Sequence, residues 1–243
     1  MVFIVCSLLT GLLAYFLLRE SYLQKNLIKT DPLNLNGLDF SKINNEHDVI
    51  NVWMIGDSRI SRWDKTFLES PGFDFKNLGV EGFTSSQTLN RLKILINHEI
   101  PQKMILEVGI NDLKIIGLNK NLSSGIYEQC YQNITSIIDL CLKNDIGITL
   151  LSIIPTGKIE FLRRFIWNNE VDSTIALLNN KLGHYCDQKN VSYCNTALLL
   201  CDQNNIIKEI YQDGFLHIND SAYKVLSAEL TEIIDLHNLR LMK

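Results

Sequence analysis

Segments with the pattern of β-strands alternate with helical segments from residue 49 onwards, and this alternation constrains the fold more than any other feature. The strand-like segments lie at 49–55, 73–77, 104–108, 148–154 and 191–195. The segments with helical spacing lie at 85–97, 126–143, 171–188 and 220–236. Strands that alternate with helices predict an α/β fold with both faces of a parallel sheet covered. We therefore expect a three-layer flavodoxin-like sandwich with a five-stranded parallel sheet.

The composition is that of a globular chain. Hydrophobic residues make up 46% of the sequence and charged residues 21%, which excludes wholesale disorder. The net charge is −4 and the basic residues form no stripe, so no nucleic-acid partner is expected. None of the six cysteines forms a C-x-x-C pair or a cluster with zinc spacing, so no metal site is expected. The cysteines are predicted to be small buried residues, with a Cys186–Cys194 disulfide as the alternative.

Residues 2–18 contain no charged side chain. A stretch of this length approaches that of a membrane-spanning helix, so we predict a membrane anchor over residues 1–19. A cleaved signal peptide is the alternative, but it would carry basic residues before the apolar run and an A-x-A-like cleavage site. Residues 20–48 then form a linker, and a catalytic domain covers residues 49–243.

The orientation of this anchor is left open by the charges around it. Arg19, Lys25 and Lys29 follow the segment and no Lys or Arg precedes it, which favours a cytoplasmic domain under the positive-inside rule. Glu20 and Asp31 dilute that bias, and we expect an extracytoplasmic domain attached to the membrane through residues 2–18.

Chemically useful residues follow successive strands of the predicted sheet. Ser58 follows the first strand, Gly79 the second and Asn111 the third, while His217 precedes the last helix. Each of them alone also fits an ordinary turn or helix cap. Because the carboxyl ends of parallel strands meet at one edge, the four residues together predict an acyl-transfer site. Its parts are a nucleophile, a base and three donors for an oxyanion.

Four segments carry a resemblance to a known family: IGDSRISRW, NLGVEGFTSSQTLNRL, LEVGINDLK and LHIND. From about residue 49 to 238 the chain resembles the SGNH hydrolases, also called GDSL esterases and lipases, and especially bacterial members that act on small esters or lysophospholipids. The resemblance implies that Ser58 is the nucleophile and His217 the base. It also implies an oxyanion hole made by the N–H groups of Ser58 and Gly79 and the side chain of Asn111.

The resemblance further implies that Asp57 and Asp112 hold loops through hydrogen bonds, and that no metal or organic cofactor is needed. The chain departs from the family in its last motif, which is usually Asp-x-x-His. Asp213 lies four residues before His217. We predict that a compact loop still delivers Asp213 as the third catalytic residue, because three and four residues both return to one side of a helical turn. The alternative is a Ser–His dyad whose ring is oriented by a backbone carbonyl.

The predicted function is that of a serine ester hydrolase, acting through an acyl-serine intermediate on a small acyl ester, a lysophospholipid or another lipid, or an O-acetyl sugar. One alternative is an O-acyltransferase acting on cell-surface carbohydrate, and another is a catalytically inactive, membrane-anchored binding protein. Arg163 and Arg164 are candidates to bind an anionic substrate, and Trp167 to contact an acyl chain or a sugar face. An ordinary amphipathic surface helix explains these three residues equally well.

Overall fold

The computed structural model describes residues 2–28, 49–68, 70–165, 167–168 and 170–241. The strands of its main sheet are β1 (Ile50–Gly56), β2 (Phe73–Asn77), β3 (Lys103–Glu107), β4 (Gly147–Leu151) and β5 (Ser192–Cys194). Its α-helices are α1 (Val2–Ile28), α2 (Ser58–Ser61), α3 (Ser85–Leu95), α4 (Ile110–Leu113), α5 (Ser123–Lys143), α6 (Glu170–Lys189), α7 (Thr196–Leu200) and α8 (Asp220–Leu241). A short hairpin of β6 (Gln212–Asp213) and β7 (His217–Ile218) precedes α8.

The five strands form one parallel sheet in the order β2-β1-β3-β4-β5. This is the strand order of flavodoxin-like sandwiches, so the predicted fold class is confirmed. Strand β1 lies between β2 and β3, with Ile50 opposite Phe73 on one side and Gly56 opposite Glu107 on the other. Because all strands run in the same direction, the turns that follow them gather at one edge of the sheet.

Side chains of β1 alternate between two cores, one on each face of the sheet. Trp53 and Ile55 belong to a core that α3, α5 and α6 complete. Val52 and Met54 belong to a second core that α7 and α8 complete. The period of two along a strand explains this division, because neighbouring side chains point to opposite faces. A sheet with helices on both faces is the predicted three-layer arrangement.

The fourth strand is shorter than the apolar run that predicts it. That run covers residues 148–154, whereas the ladder ends at Leu151. Beyond it, the Ile153 N–H donates to Asn179 Oδ1 at 2.8 Å, and Asn179 Nδ2 donates back to the Ile153 carbonyl at 2.8 Å. A side chain of α6 therefore replaces the strand partner, which apolar periodicity does not reveal.

The β6–β7 hairpin is absent from the sequence-based prediction. It pairs Gln212 with Ile218 and Asp213 with His217 in antiparallel register. Gly214 has a φ of 71°, a conformation that glycine adopts without the strain a Cβ would introduce. The glycine that breaks the family's Asp-x-x-His spacing thus makes the turn of this hairpin.

The N-terminal helix α1 continues the apolar segment into polar residues that pack on the domain. Arg19 donates a hydrogen bond to the Leu118 carbonyl, and Leu23 and Asn26 are buried. Within the described ranges, no helix is both long enough and apolar enough to cross a membrane. The uncharged residues 2–18 would span about 25 Å as a helix, less than the roughly 30 Å of a bilayer's hydrocarbon core. The predictions of a membrane anchor in this segment and of an extracytoplasmic domain held by it are therefore wrong.

The helix also bears on the predicted division of the chain. Since α1 ends at Ile28, residues 20–28 of the predicted linker are helical, and its remainder, 29–48, lies outside the described residues. The division into 1–19, 20–48 and 49–243 stays a prediction.

All six cysteines, which lie within the described residues, are free thiols. Five of them are buried and Cys6 is exposed. Burial raises the pKa of Cys186 and of Cys194 to about 12, which keeps both protonated. The cysteines of the domain therefore act as small core residues, and the alternative Cys186–Cys194 disulfide is not formed.

Candidate active site

Ser58 is the first residue of α2, directly beyond the carboxyl end of β1. The turn requires glycine at position 56, because a Cβ on Gly56 would overlap the Glu107 carbonyl of the neighbouring strand. Asp57 caps α2, its carboxylate accepting a hydrogen bond from Arg59 N at 3.0 Å. These contacts hold Ser58 at the edge of the sheet with 7% of its surface exposed.

The structure brings Ser58 together with His217, which lies 159 residues further along the chain. Ser58 Oγ is 3.2 Å from His217 Nε2. This is the distance over which a base removes a proton from a nucleophile. The hairpin places the histidine beside Ser58, because His217 is the first residue of β7.

The surroundings of His217 lower its pKa below the ordinary value of 6.5. Burial is the largest cause, and the positive charges of Arg62 and Arg59 act in the same direction. The carboxylates of Asp213 and Glu81 oppose them. The imidazole is therefore neutral at neutral pH and able to accept a proton.

Asp213 lies directly opposite His217 in the hairpin. Its side chain is 64% exposed, and its carboxylate contacts Arg62 Nη1 at 3.7 Å. Arg62 also donates from Nε to Glu81 Oε1 at 2.8 Å. The structure thus places the predicted third catalytic residue beside the base, in an ion pair with an arginine.

Asn111 lies in the first turn of α4, beyond the carboxyl end of β3. The sharp turn before it uses Gly109, whose φ is 134°. Asn111 Nδ2 donates to the Phe83 carbonyl at 2.9 Å, and its Oδ1 accepts a hydrogen bond from Lys114 Nζ at 2.6 Å. An amide nitrogen carries two hydrogens, so the side chain can be held by one and offer the other to a ligand.

Gly79 packs against the backbone of α2. A Cβ at this position would come within 2.8 Å of Ile60 C and closer still to Ser61 N. The Gly79 N–H donates to Asn77 Oδ1 at 3.0 Å, while Asn77 Nδ2 donates to the carbonyls of Ile60 and Trp63. Asn77 therefore joins the predicted oxyanion donor to the helix that carries the nucleophile.

Asp112 holds the loop before α3. Its two oxygens accept hydrogen bonds from Ser85 N at 2.9 Å and from Ser85 Oγ at 2.6 Å. Burial raises the pKa of Asp112 to about 6 and also raises the pKa of Asp57. Both aspartates make the loop-holding contacts that the family resemblance implies.

Solved structures share this arrangement of strands and helices. A GDSL-like lipase from Bacteroides thetaiotaomicron superposes with a TM-score of 0.64 at 19% identity, over 90% of this chain and 98% of its own. An acetyl xylan esterase superposes with a TM-score of 0.61 at 17% identity, over 76% of this chain and 100% of its own. A carbohydrate acetylesterase family member from Sinorhizobium meliloti gives 0.57 at 15% identity, over 76% of this chain and 97% of its own. The chain has the fold of the GDSL-like lipases.

No protein-family model matches the sequence, and no curated protein matches it. The GDSL-like fold is therefore established from the structure. In it, the four residues that the sequence singles out lie at the carboxyl edge of the sheet or on the hairpin beside that edge.

Within this GDSL-like fold, several polar residues missed by sequence reasoning hold the site. They are Asn77, Glu107 and Lys114, together with Arg59, which the sequence places next to the nucleophile without a role. Each had a faint signal: Asn77 and Glu107 are polar ends of β2 and β3, and Lys114 follows Asn111 by about one helical turn. Sequence spacing does not say what these side chains contact, so their roles emerge from the tertiary structure.

A cleft of about 970 Å³ lies beside the hairpin of the GDSL-like fold, between the loops that follow β4 and α7. Its lining includes Trp167, whose ring lies edge-on to Phe215 with centroids 5.3 Å apart. The Trp167 Nε1 is buried, and within the described residues it has no hydrogen-bond partner. The ring of Trp167 therefore contributes an aromatic surface to the wall of the cleft.

The other predicted substrate contacts lie in the same segment. Arg164 lines the cleft and donates from Nε to the Ile159 carbonyl at 3.2 Å. The side chain of Arg163 lies outside the described residues. In its described residues, the segment forms a short 3₁₀ helix, Phe161–Phe165, in place of the amphipathic helix that the alternative interpretation expects.

Proposed function

We propose that this protein is an SGNH hydrolase that cleaves a carboxylic ester through an acyl-enzyme on Ser58. The observation that carries the proposal is the 3.2 Å contact between Ser58 Oγ and His217 Nε2 at the carboxyl edge of the sheet. Asn111, which follows β3 at that same edge, supplies a donor for the oxyanion. The fold shared with a GDSL-like lipase and an acetyl xylan esterase supports ester cleavage as the reaction.

Acylation begins when Ser58 Oγ attacks the ester carbonyl carbon and His217 Nε2 takes the hydroxyl proton. The carbonyl π electrons move to the oxygen, which becomes the oxyanion of a tetrahedral intermediate. His217 then gives the proton to the alcohol oxygen as the ester C–O bond breaks. The alcohol leaves, and the acyl group remains bound to Ser58.

Deacylation repeats these steps with water as the nucleophile. His217 removes a proton from water as the water oxygen attacks the acyl carbon, and it returns the proton to Ser58 Oγ as the serine leaves. The products are the carboxylic acid and the free enzyme.

The oxyanion is held by three donors in this proposal: the N–H groups of Ser58 and Gly79 and the Nδ2 of Asn111. Lys114 places its ammonium on Asn111 Oδ1 at 2.6 Å, which polarises the amide and strengthens its N–H as a donor. The Gly79 N–H must be shared between Asn77 Oδ1 and the oxyanion, so we assign the larger contribution to Asn111.

Asp213 acts on His217 through its charge. Its carboxylate is one of the two that raise the pKa of the imidazole, so it favours the imidazolium that forms after proton transfer. Because the Asp213 side chain is 64% exposed and paired with Arg62, solvent screens this effect. The contribution of Asp213 is therefore smaller than that of a buried triad aspartate.

The cleft beside the hairpin is the proposed site for the alcohol part of the ester. Gln212 lines the cleft and pairs in the hairpin with Ile218, the residue that follows the base. Charged and amide side chains surround the cleft alongside Trp167 and Arg164, a lining that suits a polar alcohol better than a long acyl chain. We therefore propose a short acyl group, such as acetyl, on a polar alcohol such as a sugar.

The test uses the purified full chain and p-nitrophenyl esters from acetate to decanoate. Ser58→Ala should abolish turnover, whereas Ser61→Ala, one helical turn away, should retain it. Equal rates for Ser58→Ala and the wild type would reject the hydrolase. Turnover that falls with chain length supports a short acyl group, and turnover that rises with chain length contradicts it.

A second measurement addresses the alcohol part. Trp167→Phe reduces the aromatic surface that lines the cleft, so it should raise KM for an acetylated oligosaccharide while leaving p-nitrophenyl acetate little changed. An equal effect on both substrates would argue against sugar binding in the cleft. Faster release of p-nitrophenol on adding a sugar, with acetyl sugar as the product, would indicate an acyltransferase instead.

A further inference from the structure

Arg59, the residue after the nucleophile, is fully buried beneath the site. Its Nε donates to the Leu216 carbonyl at 3.0 Å. Its Nη1 donates to the Ile154 carbonyl at 2.6 Å, and its Nη2 donates to the Pro155 carbonyl at 3.2 Å. Nη1 also pairs with Glu107 Oε1 at 3.4 Å. One guanidinium thus joins the end of β3, the loop after β4 and the hairpin.

The bond to Leu216 lies one residue from the base. Leu216 immediately precedes His217, and Ser58 immediately precedes Arg59. The chain therefore runs from Ser58 through the Arg59–Leu216 hydrogen bond to His217, closing a short loop around the Ser58–His217 contact. If the hairpin moved away from α2, the hydrogen bond between Arg59 and Leu216 would break before the distance between Ser58 Oγ and His217 Nε2 increased much.

Only a guanidinium can make this set of contacts. It carries five N–H donors in a rigid plane, whereas the lysine ammonium is a single point on a flexible stem. A buried cation is costly unless it is paired, and Glu107 supplies the opposite charge. Three backbone carbonyls accept three of the other four N–H groups, so the guanidinium is held by contacts to these loops.

Among the residues that the structure describes, no carboxylate makes the hydrogen bond to the His217 ring that a triad aspartate makes. Asp213 is paired with Arg62, and the His217 ring makes its hydrogen bond to Ser58. The orientation of the base must therefore come from its backbone. Arg59 holds that backbone at Leu216, and the Gly157 N–H holds it at Phe215 with a hydrogen bond of 2.7 Å.

We propose that Arg59 is a positioning residue, which keeps His217 within reach of Ser58 by fastening the hairpin backbone to the nucleophile helix. This inference rests on the proposed function of the site. Arg59 itself, buried behind Ser58, does not touch the substrate.

The experiment compares Arg59→Gln, Arg59→Lys and Arg62→Gln in the full chain. A fluorophosphonate titration counts reactive serines, and p-nitrophenyl acetate gives kcat per reactive site and KM. Both Arg59 variants should lower kcat per site by about 10- to 100-fold with KM little changed, because misplacement by about 1 Å costs up to that factor. Arg62→Gln removes a nearby exposed arginine and leaves the hydrogen bond between Arg59 and Leu216 intact, so it should lower kcat per site less.

The pH profile tests the effect of the Arg59 charge separately from that of its hydrogen bonds. The charged groups that act on His217 are Arg59, Arg62, Asp213 and Glu81. Arg59→Gln removes a cation, so the acid limb of kcat/KM should move to higher pH. Lysine at this position keeps the charge, so the limb should stay near that of the wild type while kcat falls.

A structural role alone would reduce the number of reactive serines and leave kcat per site as in the wild type. That result in Arg59→Gln, or in Arg59→Lys should the glutamine variant not fold, overturns the proposal. Activity retained in Ser58→Ala would instead overturn the proposed function. An inactive Ser58→Ala together with wild-type kcat per site in the Arg59 variants would reject this inference alone.

Discussion

Lys114 Nζ donates a hydrogen bond to Asn111 Oδ1 at 2.6 Å, across the short helix that carries the proposed oxyanion donor. Lys114 is buried, as is Asn111. With Phe83 accepting one amide hydrogen from the other end of the side chain, the Asn111 amide is clamped on both sides. Its orientation is therefore set before a substrate arrives, which is what oxyanion stabilisation requires.

Lys114→Met should lower kcat for p-nitrophenyl acetate by about 10-fold with KM nearly unchanged, because it loosens a donor whose removal costs about 100- to 1,000-fold. The same substitution in an Asn111→Ala background should have little further effect, since the two residues act as one unit. Lys181→Met, at an exposed ion pair with Glu128, is the control. Losses of kcat that add in the double variant would contradict the proposal that Lys114 acts through Asn111.

Asp213→Asn should lower kcat/KM by about 10-fold, far less than the roughly 10,000-fold caused by altering a buried triad aspartate. The acid limb of the pH profile should move to lower pH, because removing a negative charge lowers the pKa of His217. Measurement of kcat/KM from pH 4.5 to 8 tests both the size of the loss and the direction in which the acid limb moves. A loss near 10,000-fold would mean that the carboxylate turns to the imidazole during catalysis.

The wild-type enzyme should remain active below pH 6.5. His217 must be neutral to act as a base, and burial and two arginines lower its pKa from 6.5. Activity is therefore present above the lowered pKa and is lost as the pH falls through it. An acid limb of kcat/KM centred above 6.5 would contradict the electrostatics of the site.

Gly79→Ala should destabilise the protein and abolish activity. The added Cβ would collide with the backbone of Ile60 and Ser61, so α2 and its serine must move. Gly125→Ala is the matched control, since nothing lies within 4 Å of a Cβ there and the residue lies in a helix. Alanine at that position should stabilise the protein by up to about 1 kcal/mol, as measured by urea unfolding.

Asp112→Asn should cost about 1–3 kcal/mol, because an amide can accept only one of the two hydrogen bonds from Ser85. The pKa of Asp112 is raised from 3.8 to about 6, so the folded state binds this proton more tightly than the unfolded state does. Its contribution to stability is therefore full below about pH 4 and falls as the pH rises to about 6.

Urea unfolding at pH 4 and pH 7 checks this sign. The free energy of unfolding should differ more between wild type and Asp112→Asn at pH 4 than at pH 7. The variant should also lose the change in this free energy between pH 4 and pH 7 that Asp112 causes. The exposed Asp187→Asn should change unfolding by less than about 0.5 kcal/mol. A larger difference at pH 7 would show that the folded state prefers the ionised carboxylate.

The N-terminal segment shows where local pattern misleads. Residues 2–18 read as a membrane anchor because their side chains carry no charge. The polar half of the same helix packs on the domain through Arg19 and Leu23, which hydropathy over the apolar stretch does not register. The end of β4 differs for a similar reason, because Asn179 of a distant helix takes its place in the ladder.

The sequence by itself determined the five-stranded α/β sandwich and the placement of Ser58, Gly79 and Asn111 after three successive strands. Apolar runs and helical spacing are local properties, and a parallel sheet brings its strand ends to one edge whatever the loops contain. Tertiary structure decided the contacts between those loops. The hairpin turn at Gly214 set the partner of Asp213, and the buried Arg59 joined α2 to the hairpin through its hydrogen bond to Leu216. Side-chain contacts across distant loops depend on packing in three dimensions, which residue type and spacing do not encode one segment at a time.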